Sequence, residues 1–210
     1  MELFKDRIDA GKQLTKKLLN YKGNDAIVLA IPRGGVIVGD EIAKTLNCKL
    51  DIVVPRKIGS PEDPEFAIGA VAPDGSISLA EDVIRSYGIS ENYIKSKVKE
   101  EIQEIKRRMN TYRGNKPFPN LKNKIVILVD DGVATGNTII ASVKFIKKQK
   151  PRKIVIAVPV APSEFINKVT SMVDEVISLK PLEPYYAISM HYLSFEQTED
   201  EEVVEILSRY

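Results

Sequence analysis

The chain has 210 residues, of which 43% are hydrophobic and 29% are charged, a balance typical of a single folded domain with a full core. Its net charge of +2 gives no electrostatic reason to expect nucleic acid as the main partner. The one cysteine, Cys48, excludes an intramolecular disulfide and favours a reducing compartment. The longest apolar stretch, 154–162, is too short to cross a bilayer, and the N-terminus lacks the hydrophobic segment of a secretory signal. We therefore expect a cytoplasmic protein with no membrane partner.

The first quarter of the chain alternates between helical and strand patterns. In chain order the patterns predict a helix, a buried strand, a tight turn, a second helix and a second strand, at 9–21, 25–31, 32–35, 36–46 and 49–55. The next stretch, 56–64, is polar and contains two prolines and a glycine, a composition that predicts a mobile loop. The segments 67–72 and 76–79 flank Pro73-Asp74-Gly75, which predicts a β-hairpin.

The longest predicted helix, 92–112, has a stripe of apolar residues at steps of four and three. The stripe consists of Ile94, Val98, Ile102, Ile105, Met109 and Tyr112, and it is a candidate dimer surface. The basic run Lys106-Arg107-Arg108 is interleaved with acids such as Glu104, which favours a solvated face over a nucleic-acid site.

The remainder of the chain returns to the alternating pattern. Strands are predicted at 126–129, 153–158 and 175–179, and helices at 139–148, 163–171 and 199–207. Such alternation is typical of an α/β fold whose mainly parallel central sheet is doubly wound, with helices on both faces. We expect one domain over 1–210, with a core at roughly 22–180 and a small hood formed by roughly 1–21 and 181–210.

The segment 126–138 is the most informative for function. Four apolar residues form a strand, Asp130 and Asp131 follow at its carboxyl end, and a small-residue turn from Ala134 to Thr138 opens a helix. In an open parallel sheet, ligands bind beyond the carboxyl ends of the strands. Backbone N–H groups and the helix dipole suit a phosphate, whereas two acids suit hydroxyls or a divalent cation. A sugar phosphate meets both demands, and the alternative is a strand-to-helix turn that an Asp pair caps.

This segment resembles the 13-residue signature of the type I phosphoribosyltransferases, which use 5-phosphoribosyl 1-pyrophosphate (PRPP) and Mg²⁺. The resemblance implies that Asp130 and Asp131 lie along the ribose 2′- and 3′-hydroxyls and act in catalysis. The 5′-phosphate would then be held by Ala134, Thr135, Gly136, Asn137 and Thr138. Mg²⁺ would be carried by PRPP near the two acids rather than by a structural site in the protein.

Two further basic segments fit the same resemblance. Arg33, Gly34 and Gly35 follow the first strand and would form the pyrophosphate-binding loop, since glycines admit close backbone approach and arginine offers a fork of donors. Arg56 and Lys57 would reach the pyrophosphate from the mobile loop, with Lys57 as a catalytic group. The alternatives are a plain tight turn and a solvated basic pair.

The acceptor is an unidentified nitrogenous base. Relatives that use 6-oxopurines commonly have an aspartate at the position of Ala134, and alanine cannot accept a proton, which disfavours hypoxanthine and guanine. An aromatic cluster could stack on the base or pack as the core of the hood; it consists of Tyr185, Tyr186, His191, Tyr192 and Phe195. The resemblance implies PRPP-dependent transfer of the phosphoribosyl group with release of pyrophosphate. The alternative is a non-catalytic PRPP- or nucleotide-binding regulatory protein on the same fold.

Overall fold

The computed structural model describes residues 3–181 and 187–210. In these residues the strands, in chain order, are β1 (Ala26–Ala30), β2 (Lys49–Ile52), β3 (Arg56–Gly59), β4 (Ala67–Val71), β5 (Ile77–Leu79), β6 (Ile125–Val129), β7 (Lys153–Ala161) and β8 (Glu175–Pro181). The α-helices are α1 (Arg7–Lys16), α2 (Gly34–Leu46), α3 (Glu81–Ser86), α4 (Glu91–Arg113), α5 (Asn137–Lys148), α6 (Ser163–Thr170) and α7 (Asp200–Ser208). Two 3₁₀ turns span Leu19–Tyr21 and Ile188–His191.

The central sheet has five parallel strands in the order β2-β1-β6-β7-β8. Every residue of β1 and β6 is buried, because helices cover both faces and an all-parallel sheet then needs continuous apolar strands. On one face Val28 and Ile127 pack with α1, α2, α4 and α7, and on the other Leu29 and Leu128 pack with α5 and α6. The predicted doubly wound α/β fold is confirmed.

A second, antiparallel sheet has the order β3-β4-β5. The hairpin β4–β5 confirms the turn predicted at Pro73-Asp74-Gly75, and Gly75 adopts a φ of 83° there. The prediction of a loop from residue 56 is wrong for its first four residues, since Arg56–Gly59 form β3 and pair with β4. Two contacts stabilise this strand: the Ile58 side chain is buried, and the backbone pairs with β4 of the hairpin. Neither contact can be predicted from the local composition. The mobility of 60–64 stays a prediction.

Helix α4 packs its apolar stripe against this second sheet and α7. Ile94, Ile105 and Tyr112 are buried, and Val98, Ile102 and Met109 pack against the same core. The stripe is therefore covered by the chain itself, and its prediction as a dimer surface is wrong. The oligomeric state stays untested.

The N-terminal segment and the segment that precedes α7 meet beside β7 and β8. Phe4 and Tyr192 form an isolated parallel bridge, and they pack with Ala10 and Val160 in a small apolar cluster. The division into a core and a hood stays a prediction, and Tyr185 and Tyr186 lie outside the described residues. None of the described helices combines the length and the apolar character that crossing a membrane requires.

Candidate active site

A cleft of about 790 Å³ lies where β1 and β6 end, a volume in the usual range for small-molecule sites. The loops after these two strands form its floor. The second sheet and α4 form one wall, and residues near the two chain ends form another. The cleft therefore lies at the position that an open parallel sheet offers to ligands.

The predicted acid pair lies on the floor of the cleft. Asp130 and Asp131 follow the last residue of β6, and the backbone N–H of Asp131 donates to Oδ1 of Asp130 at 2.9 Å. Burial and the charge of Asp131 raise the pKa of Asp130 well above its usual range, while Arg7 acts in the opposite direction. Both residues line the cleft, so their carboxyl oxygens can accept hydrogen bonds from the hydroxyl groups of a ligand or bind a cation there.

Arg7, at the start of α1, is a site residue that the sequence analysis missed. Its Nε donates to Oδ2 of Asp131 at 2.7 Å, and its Nη1 donates to the Glu196 carbonyl at 2.6 Å. The guanidinium carbon lies 3.8 Å from the centroid of the Phe195 ring. Because 124 residues separate Arg7 from Asp131, no local pattern could have associated them.

The predicted phosphate loop lines the cleft from Ala134 to Thr138. Gly136, the residue before α5, has a φ of 76°, and a β-carbon there would overlap the Phe165 ring. The first N–H groups of a helix have no intrahelical acceptor, so the start of α5 offers donors to an anion. Asn137 also lines the cleft, and its Oδ1 accepts a hydrogen bond from the Ser78 hydroxyl at 3.1 Å.

The predicted pyrophosphate loop approaches the acids closely. Gly34 has no room for a β-carbon, which would overlap Oδ2 of Asp131. Gly35 packs against the backbone of Asp130 and is not among the residues that line the cleft. Arg33 lines the cleft, and its Nη1 lies 3.4 Å from Oδ1 of Asp200.

The second sheet contributes Arg56 and Lys57 to the wall. Arg56 pairs with Glu101 of α4 at 2.8 Å. Lys57 is exposed and forms no ion pair with any residue of the described part of the chain. Lys97 and Arg108 of α4 also line the cleft. Arg108 belongs to the basic run that was assigned to a solvated face, and Lys97 was not singled out by any sequence pattern.

Near the C-terminus, Ile188, Phe195, Gln197 and Thr198 line the cleft. Thr198 Oγ1 is a buried side-chain oxygen without a hydrogen-bond partner in 3–181 and 187–210. Tyr192 is buried between the rings of Phe4 and Phe195, and its hydroxyl donates to the Asp131 carbonyl at 2.6 Å. Within the described part of the aromatic cluster, Tyr192 therefore packs, and Phe195 alone lines the cleft.

Comparison with known proteins gives the family. A family model described as phosphoribosyl transferase domain matches residues 2–188. The Mycobacterium tuberculosis (strain ATCC 25618 / H37Rv) protein named "Putative phosphoribosyl transferase Rv0571c" is 37% identical over 209 residues, which are 100% of this chain and 47% of that protein. The chain thus spans about half the length of this relative.

Solved structures agree on the fold. TT1426 from Thermus thermophilus is 36% identical, with a TM-score of 0.81 over 100% of this chain and 99% of that one. A purine phosphoribosyltransferase from Pyrococcus horikoshii Ot3 has a TM-score of 0.51 and 18% identity over 92% of this chain and 89% of that one, which shows similarity of fold alone. The family that residues 126–138 indicate is thereby confirmed, because the family model matches nearly the whole chain, which belongs to the phosphoribosyl transferase family.

Proposed function

We propose that the chain is a PRPP-dependent phosphoribosyltransferase that uses Mg²⁺, transfers the 5-phosphoribosyl group to a nitrogenous base and releases pyrophosphate. The observation that carries this proposal is the composition of the cleft. One cavity is lined by an acid pair, by a side-chain-poor loop at a helix N-terminus, and by basic residues beyond the acids. Each part matches one part of PRPP.

The 5′-phosphate fits the loop from Ala134 to Thr138, because backbone N–H groups and the dipole of α5 favour an anion. The ribose then lies over Asp130 and Asp131, whose carboxylate oxygens accept hydrogen bonds from the 2′- and 3′-hydroxyls. The pyrophosphate extends toward Arg33 and Lys57, which balance its charge.

In the reaction the bond between C1 of the ribose and the pyrophosphate oxygen breaks, and its electron pair leaves with the pyrophosphate. The ring gains positive charge, which Asp130 and Asp131 stabilise, and the leaving group gains negative charge, which Arg33 and Lys57 stabilise. A nitrogen lone pair of the base forms the new bond to C1, and the proton that this nitrogen carries passes to the released pyrophosphate or to solvent. Exclusion of water by the surrounding loops protects the activated sugar from hydrolysis.

The donor set of the cleft fits Mg²⁺. This ion is usually held by one or two carboxylates together with phosphates of the substrate, and Asp130 and Asp131 supply such carboxylates. No cluster of three or more His, Cys, Asp or Glu suitable for a metal occurs in the described ranges. When bound, Mg²⁺ supplies charge neutralisation to the pyrophosphate.

The acceptor base remains to be identified by experiment. Ala134 lines the cleft and cannot accept a proton, so we propose an acceptor other than hypoxanthine or guanine. Phe195, Gln197 and Thr198, which line the cleft, are candidate contacts for its ring and polar edge.

Two measurements test the proposal. Calorimetry should detect PRPP binding that strengthens with Mg²⁺, and an assay of pyrophosphate release over a panel of purine and pyrimidine bases should give turnover with a subset. No heat from PRPP at saturating Mg²⁺ would overturn the proposal. Binding without pyrophosphate release from any base would favour the regulatory alternative.

A further inference from the structure

We propose that Arg7 is a positioning residue that holds the Asp131 carboxylate in the orientation which the ribose hydroxyls require. This inference rests on the proposed function, because it assigns Asp131 to the ribose. It adds a residue from the N-terminal helix α1 to a site that is otherwise built from the carboxyl ends of strands.

The geometry fixes Arg7 from three directions. Its Nε donates to Oδ2 of Asp131 at 2.7 Å, its Nη1 donates to the Glu196 carbonyl at 2.6 Å, and its guanidinium stacks on the Phe195 ring. The Arg7 and Asp131 side chains are only 11% and 15% exposed. A planar guanidinium with several fixed partners sets the orientation of a carboxylate more narrowly than a lysine ammonium can.

The surroundings also restrict movement of the pair. A β-carbon on Gly34 would overlap both Oδ2 of Asp131 and Nε of Arg7, so the backbone of the pyrophosphate loop is in contact with the pair. The Tyr192 hydroxyl donates to the backbone carbonyl of Asp131. Side chain and backbone of Asp131 are thus held by residues from both ends of the chain.

The sequence supplies a matched control in Arg113. Its Nε donates to Oδ1 of Asp51 at 2.6 Å, its Nη1 donates to the Lys116 carbonyl at 3.0 Å, and its guanidinium lies 5.4 Å from the Phe118 ring. The Arg113 and Asp51 side chains are 8% and 19% exposed. This pair matches the Arg7 pair in charge and burial, although Arg113 also donates through Nη2 to Oδ2 of Asp51 at 2.9 Å. Arg113 and Asp51 are not among the residues that line the cleft.

The experiment is a double-mutant cycle read by calorimetry of PRPP with Mg²⁺ on the full chain. Arg7→Met should weaken PRPP binding on the order of 10–100-fold, as loss of a group that orients a ligating side chain does. Arg7→Lys should recover part of this loss, and Arg113→Met should leave the affinity unchanged although it lowers the melting temperature. In the Asp131→Asn background, Arg7→Met should change the affinity by less than about twofold, because Arg7 acts on PRPP only through the carboxylate that this background has already removed.

The outcomes separate this inference from the proposed function. Wild-type protein that binds no PRPP overturns both. If the wild-type protein binds PRPP but the Arg7→Met and Asp131→Asn substitutions change the affinity independently, so that the double variant shows the product of the two single effects, the positioning role alone is overturned. Tighter PRPP binding by Arg7→Met also overturns it. If Arg7→Met does not fold, Arg7→Lys in the same cycle gives the answer, since lysine keeps the charge but lacks the planar fork through which Arg7 donates to Asp131 and the Glu196 carbonyl.

Discussion

The cleft has two candidate anion sites, one at each end. At the end near β6 and α5 the donors are backbone N–H groups, since the loop from Ala134 to Thr138 has no basic side chain. At the opposite end, the candidate site consists of basic side chains, most of which already have acidic partners. Arg33 lies near Asp200, Arg56 pairs with Glu101, and Lys57 alone of these three cations has no ion pair among the described residues.

If both proposed sites bind phosphates, the cavity does so in two different ways. A backbone site needs little reorganisation but allows no added side chain, because Gly136 lies against Phe165. A side-chain site can adjust, but its ligand must replace carboxylates that already hold the guanidinium groups. We therefore expect substitutions at the first end, and in the acid pair beside it, to cost more than substitutions at the second.

The largest expected effect is that of Asp131→Asn. In the proposed reaction the substitution removes a carboxylate that stabilises the positive charge on the ribose, and loss of one preorganised electrostatic group costs ~2.7–4 kcal/mol in the transition state. Turnover measured by pyrophosphate release should fall at least about a hundredfold, with the fold retained by circular dichroism. Near-normal turnover would show that Asp131 has no catalytic role.

The next-largest effect is expected in the loop from Ala134 to Thr138. It can be measured by comparing alanine substitutions at two glycines whose backbone is in the left-handed region. Gly88 has a φ of 61° with no atom within 4 Å of an added β-carbon, whereas Gly136 has a φ of 76° and would place it on Phe165. Gly88→Ala should lower the free energy of unfolding by about 1 kcal/mol through backbone strain. Gly136→Ala should cost a further ~1–3 kcal/mol through overpacking, as measured by urea unfolding.

Only Gly136→Ala should also weaken binding of ribose 5-phosphate in calorimetry, because only that substitution displaces the phosphate loop. Equal effects of both variants on stability and on binding would contradict the backbone character of this site.

A smaller effect is expected at Lys57. Lys57→Ala removes an unpaired cation from the wall of the cleft and should weaken pyrophosphate binding about tenfold, the size of one charge-assisted hydrogen bond. The melting temperature should stay unchanged, since Lys57 is exposed and has no ion pair to lose in the described ranges. Lys122→Ala, at an exposed lysine outside the cleft lining, is the control. Equal affinities of the two variants would remove Lys57 from the site.

The smallest effect has the opposite sign. Asp200 lies 3.4 Å from Nη1 of Arg33 and accepts a hydrogen bond from Tyr112 at 2.6 Å. Asp200→Asn removes a competitor for Arg33, and because such exposed pairs are weak, pyrophosphate affinity should rise by no more than about fivefold. Calorimetry checks this against Glu201→Gln, which alters a neighbouring acid without an ion pair to Arg33. Weaker binding by Asp200→Asn would show that no competition exists.

Much of the fold could be predicted because its signals are local. The apolar runs of β1 and β6 are continuous, as a sheet covered on both faces requires, and the turn at Pro73-Asp74-Gly75 specifies a hairpin. The family was recognisable for the same reason, since a strand, two acids and a small-residue loop are consecutive within 126–138. The start of α5 at Asn137 rather than residue 139 is a boundary difference of two residues.

The errors have a common cause in contacts between distant segments. Arg56–Gly59 resembles a loop in composition but becomes β3 because β4 supplies hydrogen bonds. The apolar stripe of α4 is an internal surface because the second sheet and α7 cover it. Arg108, read as part of a solvated face, lines the cleft.

The sequence by itself determined the alternating α/β architecture, the acid pair at the end of β6 and the small-residue loop before α5, because each depends on residues adjacent along the chain. Only the tertiary structure decided that Arg7 from α1 and Thr198 near the C-terminus belong to the same cleft. The physical reason is that the packing of α1 and of the C-terminal segment around the sheet brings these residues together, and no spacing in the sequence encodes that approach.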